Sequence, residues 1–281
     1  MKIPEKELKN IPVANTDILK YGEKWKNKYV SPELLYKDWS LVLEEYKTNG
    51  VGREIFVFPC FTEKYCNDII NLAEGLNNWS CARHQNYPTY DIELEWVGAE
   101  ESFLQFMSEY IYHVSMYALK MGEWEEETTR IVRDYKNNPA TLIAETFLVK
   151  YDAEALSKKE NHTDYGDCKM SFLPTHIDDS IVSLLIPLND NYVGGGTKFP
   201  KQDVTLKPPA GSCILFPGGV THPHGARLVT KGVRYVIAVF INIVNQNGDG
   251  FDWTGKLLAK NSRVSDEKVY KGVRDRNRTE D

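Results

Sequence analysis

From about residue 140 onward, short runs rich in β-branched and aromatic residues alternate with turns that contain glycine or proline. VGGGT and KPPAG are two such turns, and glycine and proline strongly favour chain reversal. Many short strands spaced in this way pack as a sandwich or a jelly roll. The predicted strands are TLIAETFLVKY (141–151), SIVSLLIPLN (180–189), DVTLKP (203–208), GSCILFPG (211–218) and VRYVIAVFINIV (233–244).

The first half of the chain is predicted to be mainly helical. Ser31 is a candidate N-cap, Pro32 stands at the first helical position and Gly50 ends the segment, so one helix is predicted between them. Two further helices are predicted over 62–76 and 100–121, and a short strand over 54–59. Helices followed by many strands predict an α+β protein, with a β-sandwich or jelly-roll core and N-terminal supporting helices.

Charge, hydropathy and cysteine usage exclude several classes of protein. The net charge is −6, and no dense cluster of lysine and arginine indicates nucleic-acid binding. The sequence lacks an apolar run of about 18 residues that could span a membrane, and its N-terminus lacks a signal-peptide pattern. The 5 cysteines are scattered without a CxxC pair, which predicts neither a disulfide framework nor a zinc site. We therefore expect a cytoplasmic protein.

His176 and Asp178 stand at the mouth of a predicted strand in the stretch PTHIDD. Because side chains alternate along a strand, residues two apart lie on the same side. An imidazole and a carboxylate on one side, joined by a second imidazole, form the two-His-one-carboxylate set that binds Fe(II) and leaves three coordination positions open. The short HxD pattern is also common as a polar cap of a strand or turn, and by itself it decides nothing.

The stretch THPHGARLVTKGVRY (221–235) supplies two further histidines and an arginine. His222 and His224 are two apart, so alternation alone does not choose between them as the third ligand. Arg234 shares a strand face with Val236, Ala238 and Phe240, and a lone charge on an apolar stripe needs a partner. A guanidinium there could bind the distal carboxylate of 2-oxoglutarate with two hydrogen bonds. The alternative is that Arg234 points outward at the end of the strand.

Longer segments resemble the Fe(II)/2-oxoglutarate oxygenases of the prolyl and lysyl hydroxylase type, and most of all the catalytic domain of procollagen lysyl hydroxylases. The resemblance covers residues 51 to 244. It is carried by VFPCFTEKYCNDIINLAEGLNNWS, by NYPTYDIELEWVG, and by the run from YVGGGTKFP through FPGGVTHPHGARL to GVRYVIAVFIN. The resemblance implies a double-stranded β-helix (jelly-roll, cupin-like) core. It also implies an Fe(II) and 2-oxoglutarate site, with ascorbate as a further reductant left open.

In this family the third metal ligand precedes the 2-oxoglutarate arginine by ten positions, which implies His224 rather than His222 for a chain whose arginine is Arg234. The resemblance also implies that Tyr151 hydrogen-bonds the same carboxylate, although a core tyrosine is an equally good interpretation. Ser183 and Lys198 are expected near the pocket without an assigned role. The implied division is a helical extension over 1–50, an oxygenase domain over 51–256 and a charged tail over 257–281.

Some positions depart from the family. Leu185 occupies the position of an expected asparagine, and the link over 152–173 is longer than usual. This link lacks periodicity, leads into His176 and is predicted to act as a mobile lid over the substrate. The predicted activity is oxidation of an unactivated C–H bond with release of succinate and CO2, on a lysyl side chain or an amino-acid-like metabolite.

Three further points stay open. The reaction could be a radical cyclisation or a desaturation instead of a hydroxylation. The chain could instead be an inactive, cupin-like binding protein, which the intact ligand set argues against. A homodimer is also left open.

Overall fold

Most strands belong to one large antiparallel sheet. The computed structural model describes residues 16–45, 54–81, 83, 89–119, 131–132, 142–156, 170–244 and 250–251. The sheet has the strand order β1-β2-β11-β7-β14-β5-β3, with β15 on β14 and β4 parallel to β5. Its strands are β1 (Glu44–Glu45), β2 (Phe56–Pro59), β3 (Asp91–Glu93), β4 (Ile131–Val132), β5 (Leu142–Asp152), β7 (Val182–Pro187), β11 (Ser212–Pro217), β14 (Val233–Val244) and β15 (Gly250–Phe251).

A smaller sheet faces the inner side of this one. It has the order β10-β9-β12-β6, and a two-stranded ribbon, β13-β8, lies beside it. These strands are β6 (Leu173–His176), β8 (Val193–Gly194), β9 (Thr197–Phe199), β10 (Val204–Leu206), β12 (His224–Ala226) and β13 (Val229–Lys231). Side chains from both sheets line one cavity between them. The expected jelly-roll core, with an α+β composition, is confirmed.

The helices cover the outer side of the large sheet. They are α1 (Glu23–Tyr29), α2 (Pro32–Leu35), α3 (Trp39–Val42), α4 (Glu63–Leu76), α5 (Glu100–Phe106) and α6 (Tyr112–Leu119), with 3-10 turns at Thr16–Leu19 and Ala153–Leu156. A π turn (Met107–Ile111) joins α5 to α6, so the third predicted helix exists with a one-turn irregularity. Trp25 of α1 packs edge-on against Tyr29, Phe61 and Tyr65. This aromatic cluster anchors α1 onto the residues that precede and begin α4.

Alternation along the central strands separates the two sides of the sheet. Leu184 and Ile186 of β7, with Ile237 and Val239 of β14, are fully buried in the core cluster shared with the helices. On the other side, Leu185 of β7 lines the cavity together with the even positions Arg234, Val236, Ala238 and Phe240 of β14. The same backbone therefore builds a hydrophobic core on one side and a ligand cavity on the other.

The single helix predicted after Ser31 is wrong. The cap itself forms, since the Ser31 hydroxyl accepts a hydrogen bond from the Leu34 amide at 3.3 Å. The chain then leaves the helix at Lys37, which has φ 54°, and continues as the short helix α3 and the edge strand β1. Tyr36 and Leu41 are more than 80% exposed, so this segment has no continuous apolar stripe to bury as a helix. The second helix forms as predicted, from Thr62 as N-cap to Leu76.

The cysteines depart in part from the expectation. Cys60, Cys66 and Cys213 are buried free thiols. Cys81 is disulfide-bonded, which the scattered spacing did not predict. A disulfide is more typical of an oxidising compartment than of the reducing one expected from the sequence. Among the described helices, none combines the length and the hydropathy needed to cross a lipid bilayer.

The division at residues 50 and 256 stays a prediction. Residues 1–15, 46–53 and 252–281, and with them the whole predicted tail, lie outside the described residues. The described part of the proposed extension, residues 16–45, packs on the sheet through α1 and α2.

Candidate metal centre

Three side chains converge at one end of the cavity. His176 ends β6 and His224 begins β12, and these two residues are register partners in the small sheet. Asp178 follows two positions after His176 and is buried. Its Oδ1 lies 3.3 Å from His176 Nε2, and its Oδ2 lies 3.5 Å from His224 Nε2. One ligand atom from each residue falls within 4.8 Å of the others, a spacing that suits a single metal ion.

The outer nitrogens of both imidazole rings lie against backbone carbonyl groups. His176 Nδ1 is 2.8 Å from the Pro174 oxygen, and His224 Nδ1 is 3.1 Å from the His222 oxygen. Because a carbonyl only accepts, each Nδ1 is placed to donate, which leaves each Nε2, on the Asp178 side of the ring, as the nitrogen that could coordinate a metal. This is the tautomer that a metal-binding histidine needs, and the carbonyl fixes the ring orientation.

The charges of the cluster also suit a cation. Burial raises the pKa of Asp178, but the nearby His224 and His176 rings and the Ser183 hydroxyl lower it more, so its pKa is below the usual value. Burial dominates at His224 and lowers its pKa, which favours the neutral imidazole. Burial also lowers the pKa of His176, but the hydrogen bond with Asp178, the charge of Asp178 and the contact with the Pro174 carbonyl together outweigh burial and raise that pKa. A buried carboxylate with at least one neutral imidazole is a donor set for a divalent metal.

His222 does not join this group. Alternation placed it on the same side as His224, but β12 begins only at His224. His222 lies in the preceding turn, where its amide donates to the Gly219 oxygen. Its Nδ1 contacts the Thr221 hydroxyl at 2.8 Å, and its Nε2 is 3.8 Å from a Glu54 oxygen. Burial lowers the pKa of His222 to about 4, so the ring is neutral.

Arg234 lies in the same cavity and is 2% exposed. Its Nη1 donates to the Gly196 oxygen at 3.3 Å and its Nη2 to the Thr197 hydroxyl at 3.2 Å, whereas Nε has no hydrogen-bond partner. Across the described ranges, no carboxylate lies within ion-pair distance of this guanidinium. A buried cation that is served by neutral oxygens alone is a site for an anion.

Tyr151 stands beside Arg234. The two residues are register partners across β5 and β14, and the guanidinium carbon lies 5.4 Å from the Tyr151 ring centre. Burial raises the pKa of Tyr151 to about 12, so its hydroxyl is protonated and can donate to an anion bound at Arg234. The structure thus places both residues on the cavity wall, and their role in binding a carboxylate stays a prediction.

The middle of the cavity is apolar. Register pairs across β5 and β14 form its floor from Arg234 and Tyr151 at one end to Phe240 and Glu145 at the other. Between them lie Val236 with Val149 and Ala238 with Phe147. Leu185 of β7 also lines the wall, so the departure from the family asparagine makes this wall apolar. A mixed cavity with polar groups at its ends can orient a ligand that carries an acidic group.

Some residues of the site were not predicted from the sequence. Thr197 lines the cavity beside Arg234, and alternation along β9 from the GGG turn would have placed it there. Ser183, which was expected near the pocket without an assigned role, donates a hydrogen bond to Asp178. Lys198, also expected near the pocket, instead pairs with Asp203 at 2.7 Å. Residues 157–169, most of the predicted lid, lie outside the described residues.

Comparison with known proteins agrees with this geometry. The family model of the 2OG-Fe(II) oxygenase superfamily matches residues 147–242. Procollagen-lysine,2-oxoglutarate 5-dioxygenase 2 of Mus musculus is 27% identical over 231 residues, which are 78% of this chain and 27% of that protein. A multifunctional procollagen lysine hydroxylase and glycosyltransferase of Caenorhabditis elegans is 27% identical over 241 residues, 80% of this chain and 28% of its own length. The chain thus spans about a quarter of these relatives.

The similarity to solved structures is weaker. A viral collagen prolyl hydroxylase from Paramecium bursaria Chlorella virus-1 has a TM-score of 0.42 at 15% identity, covering 68% of this chain and 96% of that one. The non-heme alpha ketoglutarate dependent carbocyclase SnoK from nogalamycin biosynthesis has a TM-score of 0.46 at 10% identity, covering 86% and 90%.

Proposed function

We propose that this chain, which belongs to the 2OG-Fe(II) oxygenase superfamily, is a dioxygenase that oxidises an unactivated C–H bond of a lysyl or amino-acid-like substrate. With O2, the bound iron and 2-oxoglutarate would supply the oxidising power, with release of succinate and CO2. The lysyl substrate is supported by relatives whose names specify procollagen lysine.

The donor set of the site fits the metal. His176, Asp178 and His224 offer two imidazole nitrogens and one carboxylate oxygen around one point. Two histidines and one carboxylate on one side of a metal are typical of non-haem Fe(II) oxygenases, because three further positions stay available for a chelating cosubstrate and O2. The roles of these chain residues would be to hold the metal and to keep those positions open.

The observation that carries the proposal is the guanidinium of Arg234. It is buried, its Nε has no hydrogen-bond partner, and it faces the cavity that the His–Asp–His cluster also lines. A 2-oxo dicarboxylate that chelates the metal by one end would present its other carboxylate to Arg234, Tyr151 and Thr197. The apolar floor between the two ends would pack against the methylene groups and exclude water.

A coupled assay tests this function. The protein is reconstituted anaerobically with Fe(II) and 2-oxoglutarate, O2 is admitted, and succinate is measured with lysyl peptides or free amino acids present. Mass spectrometry then distinguishes gain of an oxygen atom from loss of two hydrogens, which would indicate cyclisation or desaturation. We expect substrate-stimulated succinate release. A protein that binds neither Fe(II) nor 2-oxoglutarate would instead be the inactive, cupin-like binding protein.

Other expectations from the sequence have their own tests. Ascorbate as a reductant predicts that succinate formation declines over successive turnovers unless ascorbate is added. A homodimer predicts twice the monomer mass in light scattering. The cytoplasmic location predicts reduced thiols in protein isolated from its source, and recovery of Cys81 as an oxidised residue would contradict it.

A further inference from the structure

Two buried hydroxyl groups lie directly behind the Asp178 carboxylate. The Ser183 Oγ donates to Asp178 Oδ2 at 2.5 Å, and the Ser180 Oγ lies 2.7 Å from the Ser183 Oγ. Both serines are 0% exposed. We propose that Ser183, oriented by Ser180, is a positioning residue that keeps Asp178 a one-oxygen ligand of the metal. This inference rests on the proposed function only in taking Asp178 as a ligand.

The number of available protons decides which serine donates in the Ser180–Ser183 hydrogen bond. A serine hydroxyl has one proton to donate, and the only role of a carboxylate oxygen at Asp178 is to accept. Ser183 therefore donates its hydroxyl proton to Asp178. In the second hydrogen bond Ser180 is the donor and Ser183 the acceptor. A chain of two hydroxyls that ends on a carboxylate strengthens each link by polarisation, and it does so most where water is absent.

The position of these two hydroxyls decides which oxygen of the Asp178 carboxylate is available to a metal. Ser183 contacts Oδ2, whereas Oδ1 lies on the His176 side of the carboxylate. With one lone pair of Oδ2 taken by Ser183, Oδ1 is the better ligand atom, and binding through both oxygens is disfavoured. A two-oxygen carboxylate would occupy one more coordination position, and the chelating cosubstrate and O2 together need three.

The surrounding backbone holds the hydroxyl pair in place. Gly218 follows β11, and its carbonyl oxygen accepts from the Asp178 amide at 2.9 Å while its own amide donates to the Ile181 oxygen at 3.2 Å. A Cβ at Gly218 would lie 2.0 Å from the Ser180 Oγ and 2.9 Å from the Ser183 Oγ. The turn at Gly218 thus closes directly over the two hydroxyls, so their geometry is set by the fold before any metal binds.

Metal binding to the apo protein tests the proposal without using turnover. Co(II) is the probe, because its affinity can be measured by calorimetry and its absorption spectrum reports the coordination number. Ser183→Ala should weaken Co(II) binding by about 10–100-fold, the usual effect of losing a group that orients a ligand. Its Co(II) spectrum should shift towards higher coordination. Ser180→Ala should give a smaller loss, and Ser183→Thr, which retains the hydroxyl, should restore wild-type affinity.

A matched control separates positioning from packing. Ser102 is also buried, but its hydroxyl lies within hydrogen-bond distance of the Ile18 and Ala99 carbonyl oxygens in the helical layer, at 2.8 and 3.0 Å. Ser102→Ala should lower the melting temperature of the metal-free protein and leave Co(II) affinity and spectrum unchanged. If Ser183→Ala does not fold, Ser183→Cys, with a weaker donor of similar size, carries the test.

The outcomes distinguish this inference from the proposed function. Wild-type Co(II) affinity and spectrum in folded Ser183→Ala or Ser183→Cys would overturn the positioning role. Weakened Co(II) binding by these variants supports it even if the wild-type protein binds no 2-oxoglutarate, a result that would overturn the proposed function alone.

Discussion

The two faces of the central strands β7 and β14 differ in what their side chains do. One face packs in the hydrophobic core, and the other faces the cavity side of the sheet. The face towards the helices buries Leu184, Ile186, Ile237 and Val239 in a continuous apolar core. The face towards the small sheet places Arg234, with its unpartnered Nε, on the cavity wall, and Ser183 against the Asp178 carboxylate. Burial of apolar surface stabilises the first face, whereas buried polar groups without partners cost stability on the second. The comparison indicates that substitutions on the helix-facing side of these strands change mainly stability. Substitutions on the cavity-facing side change mainly ligand binding, and the following experiments test this.

The largest expected effect lies on the cavity face. His224→Ala removes a proposed ligand and should abolish Fe(II) and Co(II) binding, while the metal-free protein keeps its fold. His222→Ala is the matched control, because the His222 carbonyl that accepts from His224 Nδ1 belongs to the backbone and survives. It should retain metal binding, measured by calorimetry. Retention of metal by His224→Ala together with its loss in His222→Ala would reverse the ligand assignment.

A pair of neighbouring leucines tests parity most directly. Leu184 is fully buried towards the helices, and Leu185 is partly buried on the cavity wall. Leu184→Ala should lower the free energy of unfolding by about 2–5 kcal/mol, as large-to-small core changes do. Leu185→Ala should cost about 1 kcal/mol, because the cavity already supplies space at that face. Urea denaturation measures both, and equal losses would contradict the separation of the faces.

Arg234 is expected to give the next largest effect. Loss of a charge-assisted hydrogen bond of roughly 1.5–3 kcal/mol predicts that Arg234→Ala weakens 2-oxoglutarate binding by about 10–150-fold. Metal affinity should stay close to that of the wild type. Arg234→Lys keeps the charge but loses the planar fork, so an intermediate loss is expected. Unchanged 2-oxoglutarate affinity in Arg234→Ala, measured by calorimetry, would show that this residue does not anchor the carboxylate.

The smallest expected effect lies in the helical layer and depends on pH. Burial raises the pKa of Glu109, but hydrogen bonds from Tyr21, Lys26 and Lys37 lower it more, to about 2. A folded-state pKa below the unfolded one gives stability that is present above about pH 4.5 and is lost as the pH falls towards 2. Glu109→Gln should therefore cost at most about 1 kcal/mol at pH 7, since the site is partly exposed.

Urea denaturation of both proteins between pH 7 and pH 2 checks this prediction. The stability difference between Glu109→Gln and wild type should shrink between about pH 4.5 and pH 2, because protonation removes the same charge from wild type. A difference that stays constant over this range would mean that the ion pairs of Glu109 contribute nothing measurable.

Much of the fold followed from the sequence because its signals are local. β-branched runs and Gly/Pro turns located β5, β7, β10, β11 and β14, and the cap at Thr62 located α4. The short strands β6, β9 and β12 of the small sheet were not predicted. The helix after Ser31 failed because exposure of Tyr36 and Leu41 is a property of the folded surface and not of the apolar pattern. The π turn at Met107–Ile111 carries no local signal of this kind.

Strand parity predicted the site only in part. His176 and Asp178 do come together, although β6 ends at His176 and Asp178 lies beyond it. Parity did not choose between His222 and His224, and the structure shows that His222 precedes the strand. The resemblance to known oxygenases, and not the pattern, favoured His224. The contact of Ser183 with Asp178 depends on how the turn at Gly218 closes over residues 178–183, a long-range arrangement that spacing does not reveal.

The strand β14 also has a consequence for selectivity among cosubstrates. Backbone ladders to β5 and β7 hold it on both sides, so the large sheet fixes the place of Arg234 in the cavity wall, and the small sheet fixes His176 and His224. Displacement of about 1 Å at a reacting centre can slow a reaction about 100-fold. A 2-oxo diacid one carbon shorter or longer than 2-oxoglutarate would misplace one of its ends. With Arg234 and the proposed metal holding opposite ends of the cosubstrate, the two sheets would select among homologous diacids by their length, even though these diacids are alike in charge and chemistry.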